Sequence, residues 1–393
     1  MNDLFPEVTS APEISTLEVG RFTIPVYTGE FWTAKQRAAH SLHEISYRAC
    51  YKPQLPAFFM ERYGKRGQTV FDPFLGRGTT LIEAQLRGFK AAGSDINPLC
   101  LRLAAPRLTK LKPEAIRRRL EEVRLETKAL EREDLLAFFH PDTLSEIEGW
   151  RRYLGARRTE GTLDAVDEWI EMVASNRLTG HSPGFFSVYS MPPNQAVTAE
   201  RQLLINAKLK QQPVPRDTRA IIFKKTRSLL KDPLPDGYGT APPHLFVSSA
   251  DALKAQPDAS VDLVVTSPPF LNVVDYELDN WMRMWFCGCE VERKSLWKIA
   301  AIPAWGEVMQ RSLAELRRIV RPGGVIAFEV GEVRKGKVKL EEEIARLGVG
   351  AGLVPEAVFL HVQDFTKTAN CWGVDNNKGG TNSNRIVVFR KQD

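Results

Sequence analysis

Apolar positions along this chain follow two alternating rhythms. Short β-branched, aromatic or small-residue runs stand at Thr69–Phe71, Ala91–Ile96, Leu245–Ser248, Val261–Val265 and Val325–Val330, and each predicts a short strand. Val261–Val265 is apolar apart from Asp262, close to what a strand covered on both faces should be. Helix-period stretches lie between them. Thr79–Arg87 is followed by Gly88 at a C-cap position. Val308–Val320 turns Leu313, Leu316 and Val320 inward and is expected to end at Pro322-Gly-Gly324. Leu340–Leu347 predicts a further helix, and Pro355–Val362 and Asn384–Arg390 a closing pair of strands. Such alternation predicts an α/β fold: a Rossmann-like, mostly parallel sheet of about seven strands ending in a hairpin.

Residues 109–243 break the rhythm. Pro113–Asp134 predicts one helix, with Ile116, Leu120, Val123 and Leu130 on a stripe and Pro113 in its first turn. Further helices are expected near Pro141–Leu154 and Leu163–Ser175, then loops through residues 179–184 and 191–194. Between Arg201 and Lys231 the cations Arg201, Lys208, Lys210, Arg216, Arg219, Lys224, Lys225, Arg227 and Lys231 meet one acid, Asp217. The expected organisation is an N-terminal arm (1–39) with one short strand near Arg21–Tyr27, a domain formed by 40–108 and 244–393, and a mostly helical inserted subdomain at 109–243.

Bulk properties narrow the classes only a little. The chain has 393 residues and a formal charge of +6, which suits a polyanionic partner without requiring one. Its five cysteines form no Cys-x-x-Cys pair and do not cluster with the six histidines, so neither a metal site nor a disulfide framework is expected. No apolar run reaches the roughly 18 residues of a membrane span. The first 15 residues carry acids and no base, unlike a signal peptide, so a cytoplasmic location is expected.

Chemistry concentrates in a few strings. Asp72-Pro-Phe-Leu-Gly-Arg-Gly-Thr-Thr80 follows a strand and opens a helix. A glycine turn there lets backbone approach a ligand, and the helix start offers free N–H groups. Gly93-Ser-Asp95-Ile-Asn-Pro puts a carboxylate at the tip of the next strand, where ribose hydroxyls are commonly held. Asp262-Leu-Val-Val-Thr-Ser267-Pro-Pro-Phe270 ends a buried strand in a polar group and an aromatic. An aromatic amine is a weak nucleophile because its lone pair is shared with the ring. Acceptors at Ser267 and at the Pro268 carbonyl would draw its nitrogen towards tetrahedral geometry, and orientation would then do most of the work. Taken singly, each string is accounted for by a tight turn, a capping acid or a loop with a buried phenylalanine.

Together, in this order, the strings resemble the amino-methyltransferases that modify exocyclic nitrogens of DNA bases. The resemblance covers about 40–108 and 244–390. It implies S-adenosylmethionine as cofactor, held by Asp72, Phe74, Gly76, Gly78, Thr79 and Thr80 of the first motif, with Asp95 at the ribose. Ser248-Ser-Ala-Asp251 is similar to the motif whose acid meets the adenine amino group, and His43–Pro53 resembles a looser upstream motif, which adds Tyr51 and Pro53. Ser267, Pro268, Pro269 and Phe270 would form the catalytic motif, Phe270 stacking on a base flipped from the duplex. The family most often has serine where this chain has Arg77.

Ser-Pro-Pro favours cytosine N4 over adenine N6 within that resemblance. The insertion lies between the two main motifs, where such enzymes keep target recognition. Its Lys208, Lys210, Arg216, Arg219, Lys224 and Lys225 are candidate phosphate contacts. Double-stranded DNA is the implied partner, and a restriction endonuclease acting alongside is compatible. A guanine-N2 enzyme on RNA and a catalytically silent DNA-binding relative are the alternatives. No Pro-Cys dipeptide supports covalent attack on a cytosine ring.

Overall fold

The computed structural model describes residues 11–32, 39–126, 128–269, 275–290, 299, 301–331, 339–363 and 382–393. The strands are β1 (Glu13–Val19), β2 (Phe22–Gly29), β3 (Thr69–Asp72), β4 (Lys90–Asp95), β5 (His244–Val247), β6 (Val261–Thr266), β7 (Val320–Gly331), β8 (Val354–Gln363) and β9 (Asn382–Arg390). The helices are α1 (Gln54–Tyr63), α2 (Thr79–Leu86), α3 (Pro98–Ala104), α4 (Pro113–Glu122), α5 (Pro141–Thr159), α6 (Ala165–Ser175), α7 (Ala199–Leu209), α8 (Thr218–Leu229), α9 (Tyr276–Cys287), α10 (Ile302–Ile319) and α11 (Leu340–Gly350).

All the strands share one sheet in the order β1-β2-β8-β9-β7-β6-β3-β4-β5. The predicted parallel core is there: β5, β4, β3, β6 and β7 run together, and β9 lies antiparallel between β7 and β8. The seven expected strands are β3 to β9. The arm adds two more, because β1 and β2 pair with each other and β2 runs parallel to β8. Ile24 and Val26 of β2 are buried, so this segment extends the core.

Side chains of the central strands alternate between two cores. Phe71, Val264, Ile326, Phe328 and Val387 pack under α10 and α11. Val70, Leu263, Val265, Ala327 and Val388 pack under α1 and α2. Two sequence expectations shift. The helix foreseen over Pro113–Asp134 stops at Glu122, where the Arg219 guanidinium takes the Leu120 and Val123 carbonyls and so supplies the C-terminal partners that another turn would have supplied. Pro322-Gly-Gly324 lies within β7: Val320 and Val325 face Val261 and Leu263, and residues 321–324 bulge out between them.

The insertion has no core of its own. Leu144, Trp150, Trp169, Ile170 and Ile222 join Leu81, Ile82, Leu99, Leu103, Met284 and Phe286 in one buried cluster. Its helices α5 and α6 pack onto α9, and α6 also onto α3. Among the described residues no helix is long and apolar enough to cross a membrane.

Candidate active site

Four adjacent strands deliver polar groups to one edge of the sheet. β3 ends at Asp72, β4 at Asp95, β6 leads into Ser267, and β7 carries Glu329. Strand order reverses between β3 and β6, and open parallel sheets bind ligands outside the carboxyl ends of their strands at such a reversal. A cavity of about 780 Å³, counted with its open mouth, lies there, its wall including Tyr47, Tyr51, Gly76, Asp95, Asn97, Ser267, Pro269 and Tyr276.

The turn after β3 is shaped by its glycines. Gly76 and Gly78 take φ of 51° and 78°, a region that side chains disfavour. A Cβ on Gly78 would also stand 2.7 Å from the Cβ of Ala104. The turn presents the Gly76 N–H to Asp95 Oδ2 at 2.9 Å, while Asn97 N–H donates to Oδ1 at 2.9 Å. Burial pushes the Asp95 carboxyl up and these N–H donors pull it back down. Each carboxylate oxygen keeps a further lone pair, so Asp95 is held in place and can still accept from a ligand. Asn97 caps α3 through Oδ1, and its buried Nδ2 has no hydrogen-bond partner among the described residues. A buried donor in want of an acceptor, beside a fixed carboxylate, fits the ribose and adenine of a nucleoside.

Asp72 sits one layer deeper, outside the cavity wall. Its Oδ1 accepts from Thr266 Oγ1 at 2.6 Å and Phe74 N–H at 3.1 Å, and its Oδ2 from the Tyr51 hydroxyl at 3.0 Å. Thr80 Oγ1 is bonded to the Tyr51 hydroxyl and lies 3.0 Å from the Val265 carbonyl. This buried knot ties β3, β6 and α2 to the segment before α1. Burial raises the Asp72 carboxyl to about 6 against those hydrogen bonds. Asp72, Gly78 and Thr80 therefore build the pocket; Phe74, Gly76 and Thr79 line it. Pro53 is the N-cap residue of α1 and lies outside the wall.

At the end of β6, the Ser267 hydroxyl donates to the Glu329 carboxylate. Asn384 Nδ2 donates to the other Glu329 oxygen at 2.9 Å. Glu329 is 3% exposed, and burial raises its pKa while the two hydrogen bonds oppose the rise. Trp305 Nε1 holds the Pro269 carbonyl at 3.2 Å, fixing the loop. Ser267 and Pro269 face the cavity, and Pro268 is buried behind them. Phe270 lies outside the described residues. Motif reading passed over Glu329. Its signal was there: one acid inside the otherwise apolar strand Val325–Val330.

Arg77 explains its own departure from serine. Its Nη1 donates to the carbonyls of His43 at 3.2 Å and Ile45 at 2.8 Å, and its Nε to Thr79 Oγ1 at 3.1 Å. Arg107, fully buried, holds the Leu42 carbonyl at 2.8 Å and that of Arg77. The two arginines clamp residues 42–45 and so place Tyr47 against Gly76. The Tyr47 ring stacks with Tyr276 at 6.0 Å.

Other predicted residues lie elsewhere. Asp251 accepts from Ser249 Oγ at 2.5 Å and Arg311 Nε at 3.1 Å, and the wall there is formed by Ser249 and Ala250. Arg219 is engaged in capping α4 and lies over the Trp150 ring. Lys225 is 3.5 Å from Glu44, and burial brings its pKa down to about 8. Arg216 is half-buried, whereas Lys208, Lys210 and Lys224 are exposed.

Known proteins are similar to this chain over stretches of very different length. The family model described as "DNA methylase" matches residues 21–106. The Type II methyltransferase M.MjaII of Methanocaldococcus jannaschii is 33% identical over 95 residues, which are 24% of this chain and 18% of that protein. The match thus spans under a fifth of that relative's length. The Type II methyltransferase M.BsoBI of Geobacillus stearothermophilus is 21% identical over 373 residues, covering 80% of this chain and 70% of that protein. Among solved structures, the rRNA methyltransferase aviRa of Streptomyces viridochromogenes aligns over 92% of this chain and 94% of its own at 15% identity, with a TM-score of 0.35. The family match runs from β2 through the Tyr47–Tyr51 wall, the glycine turn and Asp95, so it is in this part of the cavity that the chain is similar to DNA methylases.

Proposed function

We propose that this protein methylates an exocyclic amino group in double-stranded DNA, at cytosine N4, with S-adenosylmethionine as donor. The observation that carries the proposal is the meeting, in one cavity, of the Gly76–Asp95–Asn97 turn and the Ser267–Glu329 pair. The first supplies a carboxylate and a free donor for a nucleoside. The second supplies an acceptor for an amine.

S-Adenosylmethionine, when bound, supplies an electrophilic sulfonium methyl. The chain's own residues do the rest. Asp95 accepts from ribose hydroxyls, Asn97 Nδ2 donates to the ligand, and Gly76 keeps the turn open beside them. Ser267 Oγ donates its hydrogen bond to Glu329, so its lone pairs face the cavity and accept from the base amine. That acceptor aligns the nitrogen lone pair. Once the methyl had left the sulfonium sulfur for the amine and made that nitrogen cationic, Ser267 Oγ would take the surplus proton while the serine proton passes to Glu329. Burial raises the Glu329 pKa, which suits it to take that proton and release it later. The extruded base would lie near Tyr47 and Tyr276 in the wall.

Serine in place of the acid found in many adenine enzymes supports cytosine as target. The insertion, with exposed Lys208, Lys210 and Lys224, supports target recognition there. A restriction endonuclease as functional partner is the natural extension, since the curated relatives are called Type II methyltransferases.

The test is transfer of labelled methyl to plasmid DNA, with RNA in parallel, followed by nucleoside mass spectrometry. N4-methylcytosine in DNA is expected. N6-methyladenine would move the target, and label in RNA alone would overturn the DNA reading. Ser267→Ala should cut turnover by about 100-fold and leave cofactor affinity within about twofold.

A further inference from the structure

Helix α7 is built with its polar side inward. Its one buried residue is Gln202, whose amide nitrogen donates to the Tyr189 carbonyl at 3.0 Å and to Asn206 Oδ1 at 2.8 Å. Asn206 in turn donates to the Ala137 carbonyl at 2.7 Å. The leucines face water: Leu203 is 57% exposed, Leu204 61% and Leu209 49%. Single exposed leucines are ordinary, but a helix fastened by amides and showing its leucines outward marks a contact surface.

Cations flank those leucines. At helical spacing Arg201, Leu204 and Lys208 share one stripe, and Leu203, Ala207 and the cap residue Lys210 share the next. The helix holds one acid, Glu200. A second copy docked about a twofold axis would set these cations against their own equivalents, which opposes self-association. Phosphates on either side of exposed base edges match the pattern.

Position points the same way. Asn194 Oδ1 accepts from Ser46 Oγ at 2.7 Å, and Ala196 N–H donates to the Asp279 carbonyl at 3.2 Å. Ser46 adjoins Tyr47, and Asp279 lies one turn along α9 from Tyr276, two residues of the cavity wall. From Ala196 the chain reaches Leu204 in at most about 16 Å. α7 is therefore tethered within about 16 Å of a segment bonded to the neighbours of two wall residues, within reach of a duplex that delivers a base to the cavity.

We propose that α7 docks on duplex DNA next to the extruded nucleotide, Leu203 and Leu204 packing on neighbouring bases while Arg201, Lys208 and Lys210 meet the flanking phosphates. The inference rests on the DNA reading above and assigns one surface to it. The test compares wild type with Leu203→Ser/Leu204→Ser and with Lys208→Ala/Lys210→Ala. Readouts are methyl transfer to plasmid DNA, duplex affinity across a salt series, S-adenosylmethionine affinity and sedimentation. The leucine pair should slow methylation by about tenfold and weaken duplex binding, with cofactor affinity and salt slope unchanged. The lysine pair should lower the salt slope by about 1 per lysine. A leucine variant that matches wild type in rate and affinity would sink the proposal, as would wild-type dimers that the variant splits into monomers. A wild type that neither binds nor methylates DNA would remove the DNA reading itself, and this surface with it.

Discussion

Single buried carboxylates carry the sharpest consequences. If Glu329 receives a proton through Ser267, methylation should fall as pH drops through the raised Glu329 pKa, because a protonated Glu329 no longer accepts. Glu329→Gln should flatten that limb and reduce turnover by about 100-fold while cofactor affinity persists. Asp72 acts on stability. Its folded pKa of about 6 lies above its ordinary 3.8, so its contribution is fully present below pH 3.8 and is lost as pH rises through 6. Two units correspond to about 3 kcal/mol. His43 runs the other way: burial lowers it from 6.5 to about 4, so its contribution is present above 6.5 and is lost as pH falls through 4. The two partly cancel in wild type. Asp72→Asn should uncover the His43 limb, seen as a steeper loss of denaturant midpoint between pH 6 and 4. Asp72, Asp95 and Ser267 were legible because they stand in strings of fixed order. Glu329 was less so, since its partner lies 62 residues away and only β6–β7 pairing joins them.

At the scale of elements, glycine turns and caps decide the outcome. Gly78→Ala combines a left-handed backbone with an overlap on Ala104, and should cost about 2–4 kcal/mol and most cofactor binding, measured by denaturation and calorimetry. Arg219 separates a capping role from a DNA role. Arg219→Ala leaves the Leu120 and Val123 carbonyls without their donor and should cost about 1–3 kcal/mol of stability with no change in the salt slope of DNA binding. A drop in that slope would show that Arg219 meets phosphate instead. The sequence marked the basic run but could not sort it, because nothing in residues 201–231 says which cations fold inward. Helix and strand periods were readable from Thr69 to Ile96, at Val261–Val265 and at Val325–Val330, where burial enforces them, whereas α9 was not foreseen. The end of α4 was not, since its cap comes from a residue about 100 positions later.

As a whole molecule, the chain should behave as one cooperative unit. The insertion shares its buried cluster with α2, α3 and α9, so excising 109–243 would expose Leu81, Leu99, Leu103 and Phe286. The excised chain should fail to give a soluble, cooperatively melting protein, whereas the intact chain should melt in a single transition. Two separate transitions would show an independent subdomain. Local pattern determined the alternation of strands and helices, the glycine turn, and the polar residues Asp72, Asp95 and Ser267 at the ends of β3, β4 and β6, because these depend on neighbours close along the chain. Tertiary structure alone decided three further things. It drew β1 and β2 into the sheet, turned Asp251 towards Arg311, and joined Ser267 to Glu329. Each depends on which distant segments share a surface, and only the closed packing of the sheet and its helices fixes that.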